Sequence, residues 1–268
     1  MKTALTIAGS DCSGGAGIQA DLKTMSAIGV FGMSVIVSVV AENTSRVISV
    51  TDIPPERISD QIDAVFEDIP VDAVKVGMLS TPACMRAVAD KLKAYRPVHV
   101  VIDPVMYAKN GCPLMQEDSV GTLIAEVLPL ATLLTPNIPE AEKIASMKIE
   151  TEQDMKRAAE KILSLGPGAV LVKGGHYMGD ARDILYDGKT FTVFADRRID
   201  TPNTHGTGCT LSSAVASYLA LGEELPVAVE KAKAYVTGAI ENALPLGKGC
   251  GPTHHFFRYY PSDNRVGH

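Results

Sequence analysis

"ALTIAGSDCSGGAGIQADLKTMSAIG", residues 4–29, joins an apolar run, a glycine-rich turn and a helical pattern without a break. Residues 4–8 are apolar on both faces, as in a parallel strand covered by helices above and below. Ile18, Leu22, Met25 and Ile28 then recur at spacings of four, three and three residues, and Gly29 supplies the stop. The same alternation runs outward along the chain. The runs 35–41 "VIVSVVA", 73–76 "AVKV", 98–102 "VHVVI", 132–135 "TLLT" and 169–172 "AVLV" read as further strands. Helical patterns occupy 81–95, 117–128 and 152–165, then a stretch from about 208 with Leu211, Val215, Tyr218 and a stop at Gly222, then 225–243. Near 183–194, Asp187-Gly188 between two alternating runs signals a hairpin. The expected fold is a three-layer α/β/α sandwich, its central sheet mostly parallel with an antiparallel edge hairpin, and ligands belong at the carboxyl ends of its strands.

With 268 residues, the chain is long enough for one large domain. Apolar residues make up 46% and charged residues 21%, the balance of a soluble globular enzyme. The net charge of −6 and the lack of clustered Lys and Arg argue against nucleic acid as a partner. A small anion remains acceptable, because helix N-termini and single lysines hold phosphate locally. Five cysteines, widely spaced and without a C-x-x-C, indicate neither a disulfide framework nor a zinc site, and fit the cytoplasm. The apolar start is too short for a signal-peptide core, and the run 35–41 falls far below the roughly eighteen residues needed to span a bilayer, so no membrane association is expected.

Four strand ends carry polar clusters. In the first, Gly15-Ala16-Gly17-Ile18-Gln19-Ala20 resembles a dinucleotide fingerprint, with Glu42 where a ribose-binding carboxylate would sit. Six residues separate the strand end from Gly15, however, whereas such a fingerprint begins almost at the strand. At "DPVM", 103–106, and "TPNIPEAE", 135–142, Asp103, Asn137 and Glu140 offer hard oxygens for Mg²⁺ beside a nucleotide phosphate. The alternative is a proline-initiated turn and a helix start whose acid complements the macrodipole. In "NTHGTGCT", 203–210, the backbone N–H groups of Gly206, Thr207, Gly208 and Cys209 would converge at the positive end of a helix and form an anion hole for a phosphoryl group. The alternative there is a glycine-rich connection with an inward-packed cysteine. No G-x-x-x-x-G-K-[ST] string occurs, so a kinase reading excludes the P-loop class.

Taken together, "AGSDCSGGAGIQADLKT", "KVGML" (75–79), "VIDPVM" (101–106), "TPNIPEAE", "VLVKGGH" (170–176), "NTHGTGCTLSSA" and "GPTHHFF" resemble the ribokinase-like superfamily over residues 3 to about 257. Within it they are similar to the hydroxymethylpyrimidine/phosphomethylpyrimidine kinases of thiamin biosynthesis and to the short-type pyridoxal kinases. The resemblance implies ATP as co-substrate, Mg²⁺, a homodimer, and phosphoryl transfer to a hydroxymethyl group on a heteroaromatic ring. It assigns Asn137, Glu140 and Lys173 to the ATP-phosphate and metal side and puts Asp103 near the transferred phosphate. Gly9, Asp21, Glu42, Met78 and Val105 fall to the acceptor pocket. Cys209 stands where many superfamily members have an Asp base, and a thiol at a helix N-terminus can be lowered in pKa enough to act as one. For Met78 and Val105 the alternative is core packing, and for Asp21, expected in a first helical turn, dipole complementation.

The segment "VVAENTSRV" resembles the "AQNT"-type run of the pyrimidine kinases, with Glu42 in place of their Gln. A carboxylate accepts from a ring amino group but donates only when protonated. Asn43 and Thr44 keep the pair that pyridoxal kinases of this type usually lack, which favours the pyrimidine substrate over pyridoxal. An NAD-linked oxidoreductase built on residues 4–42 and a non-catalytic pyrimidine-binding protein are the readings from other classes. "YAKNGCPLM", 107–115, with its Asn110-Gly111 turn, is either a flap over the site or an ordinary loop. Residues 1–257 are expected to form one kinase domain, with 258–268 a loose tail.

Overall fold

The structure is a computed structural model, and it describes residues 1–108, 111, 113–116, 118–175 and 181–260. Eight strands form one sheet: β1 (Thr3–Ala8), β2 (Phe31–Ile36), β5 (Ala73–Val76), β6 (Val100–Ile102), β7 (Leu133–Leu134), β8 (Val170–Lys173), β9 (Ala181–Tyr186) and β10 (Phe191–Asp196). Their order is β10-β9-β8-β7-β6-β5-β1-β2. All neighbours are parallel except β8–β9 and β9–β10, so the hairpin read from Asp187-Gly188 is the antiparallel edge. A separate pair, β3 (Ser38–Glu42) and β4 (Val47–Asp52), runs antiparallel beside the sheet.

Strands apolar on both faces demand two covering layers, and both are present. Leu5, Ile7, Val74, Val76, Ile102, Val170 and Val172 pack beneath α2 (Pro55–Phe66), α3 (Pro82–Tyr95), α5 (Ile138–Ala145) and α6 (Glu152–Leu163). Their alternates Ala4, Ala73, Val101, Leu133, Ala169 and Leu171 pack against α1 (Gly17–Ile28), α7 (Thr207–Ala220) and α8 (Leu225–Glu241). The period of two along each strand thus sorts one sequence into two cores.

Three elements depart from the expected pattern. The run 35–41 is not one strand: it leaves the main sheet at Val37, whose N–H still bonds Ala8 O at 3.0 Å, and continues as β3. Both halves are equally apolar, so periodicity carries no trace of the change of sheet. The helix expected at 117–128 is broken into α4 (Ser119–Thr122), a π turn at Leu123–Val127 and a 3₁₀ turn at Leu128–Leu130. Gly121 weakens it and Pro129 has no N–H to continue it. Helix α2, which the sequence reading omitted, is amphipathic with Ile58 and Ile62 fully buried. At the C-terminus, Tyr259 Oη donates to Ala27 O at 2.7 Å and Arg258 lies over the Tyr235 ring, so packing continues past the expected boundary at 257. Residues 261–268 lie outside the described residues.

The chain runs from β1 to β2 on one side and returns at β5 on the other. A reversal of this kind opens a crevice at the carboxyl ends of the two diverging strands.

Helix α6 is closed by a capping box: Thr151 Oγ1 accepts from Asp154 N at 3.1 Å, and Asp154 accepts from Thr151 N at 2.9 Å. Thr151→Ala removes both that acceptor and a hydroxyl bonded to the Asp154 carboxylate, and should lower stability by about 1 kcal/mol in denaturant unfolding while leaving turnover unchanged.

Candidate active site

A cavity of about 620 Å³ lies along the carboxyl ends of β1, β5, β6, β7 and β8. Gly9 follows β1, Met78 follows β5, Asp103 and Val105 follow β6, Asn137 and Glu140 open α5 after β7, and Lys173 ends β8. Gly206, Thr207, Gly208 and Cys209 close it from the head of α7, and Glu42 enters from β3. Of the residues expected in the site, all but Asp21 line this one cavity.

The expected glycine turn does open α7. Gly206 caps it at φ 80°, and a Cβ there would stand 1.7 Å from Gly15 O, so two glycine-rich loops meet with no room for a side chain. The carbonyl of Gly206 accepts from Thr210 N at 2.9 Å, and Thr207 N approaches Thr204 O at 3.4 Å. Among the described residues, the amides of Gly208 and Cys209 have no backbone acceptor. A Cβ on Gly208 would lie 3.3 Å from Asp103 Oδ2 and 3.5 Å from Lys173 Nζ, which puts the anion hole, the acid and the lysine around one small space. Lys173 is bound to Asp103 Oδ1 at 2.7 Å. Burial works against its charge, but Asp103 and Glu140 raise its pKa above the ordinary value.

Asn137 and Glu140 satisfy both readings given above. They form a capping box on α5, with Asn137 N to Glu140 Oε2 at 2.9 Å and Glu140 N to Asn137 Oδ1 at 3.0 Å, and they also line the cavity. Burial, helped by Asp103 and opposed by Lys173, pushes the Glu140 carboxyl upward. For a hard divalent ion, Asp103 Oδ2, beside Gly208, and the Glu140 carboxylate in the cavity wall are the candidate oxygen donors. That set suits Mg²⁺, which keeps most of its shell as water and phosphate oxygen.

Two expectations are corrected. Asp21 does not reach the cavity: it sits in the second turn of α1, fully buried, where Lys75 Nζ binds both its oxygens at 3.0 and 2.8 Å. Cys209 is not lowered by the helix N-terminus in this state. Burial pushes its thiol up to about 11, with Asp21 and Asp103 adding to the rise and Lys75 and the Gly17 amide pulling against it.

The dinucleotide alternative fails on the same kind of accounting. Asp11 fills the first glycine-rich turn with its own carboxylate, accepting from Ser13 N at 2.7 Å, Gly15 N at 3.0 Å and Ala16 N at 2.7 Å. The amides that would hold a pyrophosphate are thereby spent on an internal anion. His205 Nε2 completes the set at 2.8 Å from Asp11 Oδ2, tying this loop to the head of α7. Although burial opposes ionisation, the bonds from His205, Ser13 and Ala16 hold the Asp11 carboxyl well below the usual carboxylate range.

The sequence reading missed several lining residues. Lys75 was read as part of an apolar strand, although a lysine inside "AVKV" was itself a signal. His205 stood unassigned in the quoted glycine motif. Asp183 and Lys233, paired at 2.6 Å, and the apolar Val236 and Ile240 line the end beyond Lys173, where nothing in their own segments marks them. Of the flap, Tyr107, Ala108 and Leu114 line the cavity and Tyr107 bridges Pro113, while Lys109, Asn110 and Cys112 lie outside the described residues, as does His176.

Residues 11–254 match the family model described as phosphomethylpyrimidine kinase. The chain belongs to this family. It is 51% identical over 94% of its length to the thiamine biosynthesis bifunctional protein ThiED of Geobacter sulfurreducens, of which it spans about half, 51%. It is 50% identical to the hydroxymethylpyrimidine/phosphomethylpyrimidine kinase of Rhizobium meliloti, over 96% of this chain and 98% of that one. Among solved structures, the ADP complex of Bacillus subtilis pyridoxal kinase superposes with a TM-score of 0.90 at 42% identity, covering 97% of this chain and all (100%) of the other. The fold is accordingly the ribokinase-like one of this family, and the chain is a kinase.

Glu42 is the family site's unusual group here. It is half-buried, and its carboxyl lies within 4.8 Å of the ligand atoms of Asp11 and His205. Burial and then the Asp11 charge push it up to about 7, against His205. A carboxyl-carbon NMR titration should place its midpoint at about 7, as its surroundings dictate, rather than at the ordinary 4.5. In Asp11→Asn the midpoint should fall only part of the way, because burial is the larger cause.

Proposed function

We propose that this kinase transfers the γ-phosphoryl group of ATP to the hydroxymethyl oxygen of 4-amino-5-hydroxymethyl-2-methylpyrimidine, and a second one to the resulting monophosphate. The observation that carries the reading is that the amides of Gly208 and Cys209 lack backbone acceptors in a cavity wall shared with Asp103 and Lys173, which continues to Gly9, Glu42 and Met78. One end suits a nucleotide and its phosphates. The other is a small, partly apolar pocket for a ring.

In this mechanism the chain mainly positions charge, as a loose phosphoryl-transfer transition state requires. The amides of Gly208 and Cys209, at the turn that Gly206 and Thr207 open, take the charge that spreads over the migrating group's oxygens. Lys173 sits over the phosphate oxygens as a point charge, fixed by Asp103, and Asn137 contributes on the nucleotide side. Asp103 and Glu140 would hold Mg²⁺, which would supply neutralisation of phosphate charge. Gly9, Met78 and Val105 shape the acceptor pocket; a Cβ on Gly9 would meet Met78 Cε at 3.0 Å, so that position leaves the space open for the ring. Glu42 meets the ring edge. As the neutral acid it donates to a ring nitrogen and accepts from the amino group, which is the pairing an aminopyrimidine offers. Cys209 receives the proton of the acceptor hydroxyl. Its raised pKa means that the thiolate is a minor form, matched to a step in which proton loss is late.

A homodimer and a cytoplasmic location belong to the same reading. The β3–β4 pair exposes Val39, Ile48 and Val50 at 51%, 62% and 41%, an apolar face suited to a second copy. Cys12, Cys84, Cys209 and Cys250 are unpaired, which fits a reducing compartment. No helix among the described residues is long and apolar enough to cross a membrane.

Pyridoxal kinase is the second reading, favoured by the shared fold and opposed by Glu42, whose negative neighbour Asp11 disfavours the pyridoxal phenolate. ATP turnover measured side by side with the hydroxymethylpyrimidine, its monophosphate and pyridoxal should show the first two as preferred; preference for pyridoxal would replace the reading. Cys209→Ala should lower kcat for the first phosphorylation by about a hundredfold. The second should suffer much less, because a monophosphate acceptor is already ionised at neutral pH. Equal losses in the two steps would remove Cys209 as the base.

A further inference from the structure

Lys75 lies mid-strand in β5 on the face covered by α1 and α7, and neither its side chain nor that of Asp21 reaches solvent. The Asp21 carboxylate binds the ammonium on both oxygens and also accepts Thr6 Oγ1 at 2.6 Å and Ser213 Oγ at 2.5 Å. Four elements, β1, β5, α1 and α7, thus converge on one buried pair. Such a pair is a poor stabiliser, since apolar residues of similar volume commonly serve as well or better. Packing by itself gives no reason for a lysine here.

Its position gives one. A Cβ on Gly77 would stand 2.7 Å from Lys75 Nζ, so the side chain runs along the strand toward the carboxyl edge, and Lys75 is part of the cavity wall together with Cys209 and Asp103. Ser213 is one helical turn beyond Cys209 on α7, so the sulfur and the anchored pair share a helix face. An ammonium has three donors, and Asp21 is its acceptor on the side away from the cavity. Burial opposes the charge, but Asp21, Cys209 and Asp103 raise the pKa above the usual lysine value, so the ammonium stays charged at every working pH. The charged groups acting on the Cys209 sulfur are Lys75, Asp21, Asp103 and Lys173.

We propose that Lys75 is the positioning residue for proton transfer at Cys209: its ammonium, anchored by Asp21, is the fixed counter-charge of the thiolate that takes the acceptor's proton. This rests on Cys209 being the base. In the step, the acceptor O–H bond breaks and its proton goes to sulfur, which passes from thiolate to thiol. A new P–O bond forms to the acceptor oxygen, the bond from the γ-phosphorus to the bridging oxygen breaks, and ADP leaves with the electron pair. Lys75 keeps its proton throughout, and the thiol later returns its own to solvent.

Lys75→Met alone would leave Asp21 buried without a counter-charge, so the test uses the neutral pair Lys75→Met/Asp21→Asn, with thermal unfolding to verify the fold. Should that variant not fold, Gly77→Ala, whose Cβ would displace Nζ with both charges retained, provides the same readings. The pair variant should lower first-step kcat by about tenfold or more, the effect of one pKa unit at the base, and change second-step kcat by less than about threefold. Added to Cys209→Ala, it should cost nothing more. With no substrate present, iodoacetamide labelling of Cys209 near about pH 9, followed by peptide mass spectrometry, should be slower in the pair variant. Equal losses in both steps, multiplicative losses in the triple variant, or unchanged labelling would make Lys75 merely structural and overturn the proposal. Full first-step activity in Cys209→Ala would instead overturn the base reading on which it stands.

Discussion

The structure depends on how two glycine-rich turns divide their backbone amides. In the first, the Asp11 carboxylate takes the N–H groups of Ser13, Gly15 and Ala16, and His205 takes Asp11. In the second, the amides of Gly208 and Cys209 have no backbone acceptor among the described residues. One turn is therefore closed on itself and rigid, and the other is left to bind an anion. The contact of Gly206 with Gly15 O ties them together, so the rigid turn holds the binding turn in place. Under the proposed function the free turn would be an anion hole, whose donors stabilise a transition state only if they need no rearrangement when charge develops.

Buried charge is organised in the same spirit. Lys75–Asp21, Lys173–Asp103 and Lys233–Asp183 stand in β5, β8 and α8 along one cavity wall. Each lysine is held by a carboxylate behind or beside it, so the positive charges stay where the protein sets them rather than following solvent. Such pairs add little to stability, and replacing them by apolar residues would serve the core equally well. Under the proposed function their value would be positional, fixing the field across a site where a polyanionic phosphate chain and a neutral ring meet. Glu42 is the counterexample, an acid that burial and then the nearby Asp11 charge push up to about 7, with His205 acting the other way.

Much of this was legible from residue types alone. Most of the apolar strands and amphipathic helices, and the Asp187-Gly188 hairpin, are local patterns that appear where their spacing put them. The unread parts are long-range. Val37 carries no mark of leaving the sheet, because β2 and β3 are equally apolar. Asp21 looked like a pocket residue because its motif adjoins one, yet its side chain turns to Lys75, 54 positions away. The Cys209 thiol looked activated because it heads a helix, whereas burial pushes it up.

The sequence by itself determined the layered α/β fold, the family and the list of chemically capable groups, because strand period, helical stripe and glycine turns are properties of neighbours in the chain. Only the tertiary structure decided which glycine turn lacks internal acceptors, which lysine pairs with which acid and which carboxyl is pushed upward by burial. Those outcomes are set by contacts such as His205 to Asp11, 194 positions apart, and by the desolvation that closing the core imposes. Neither quantity exists until the chain has folded.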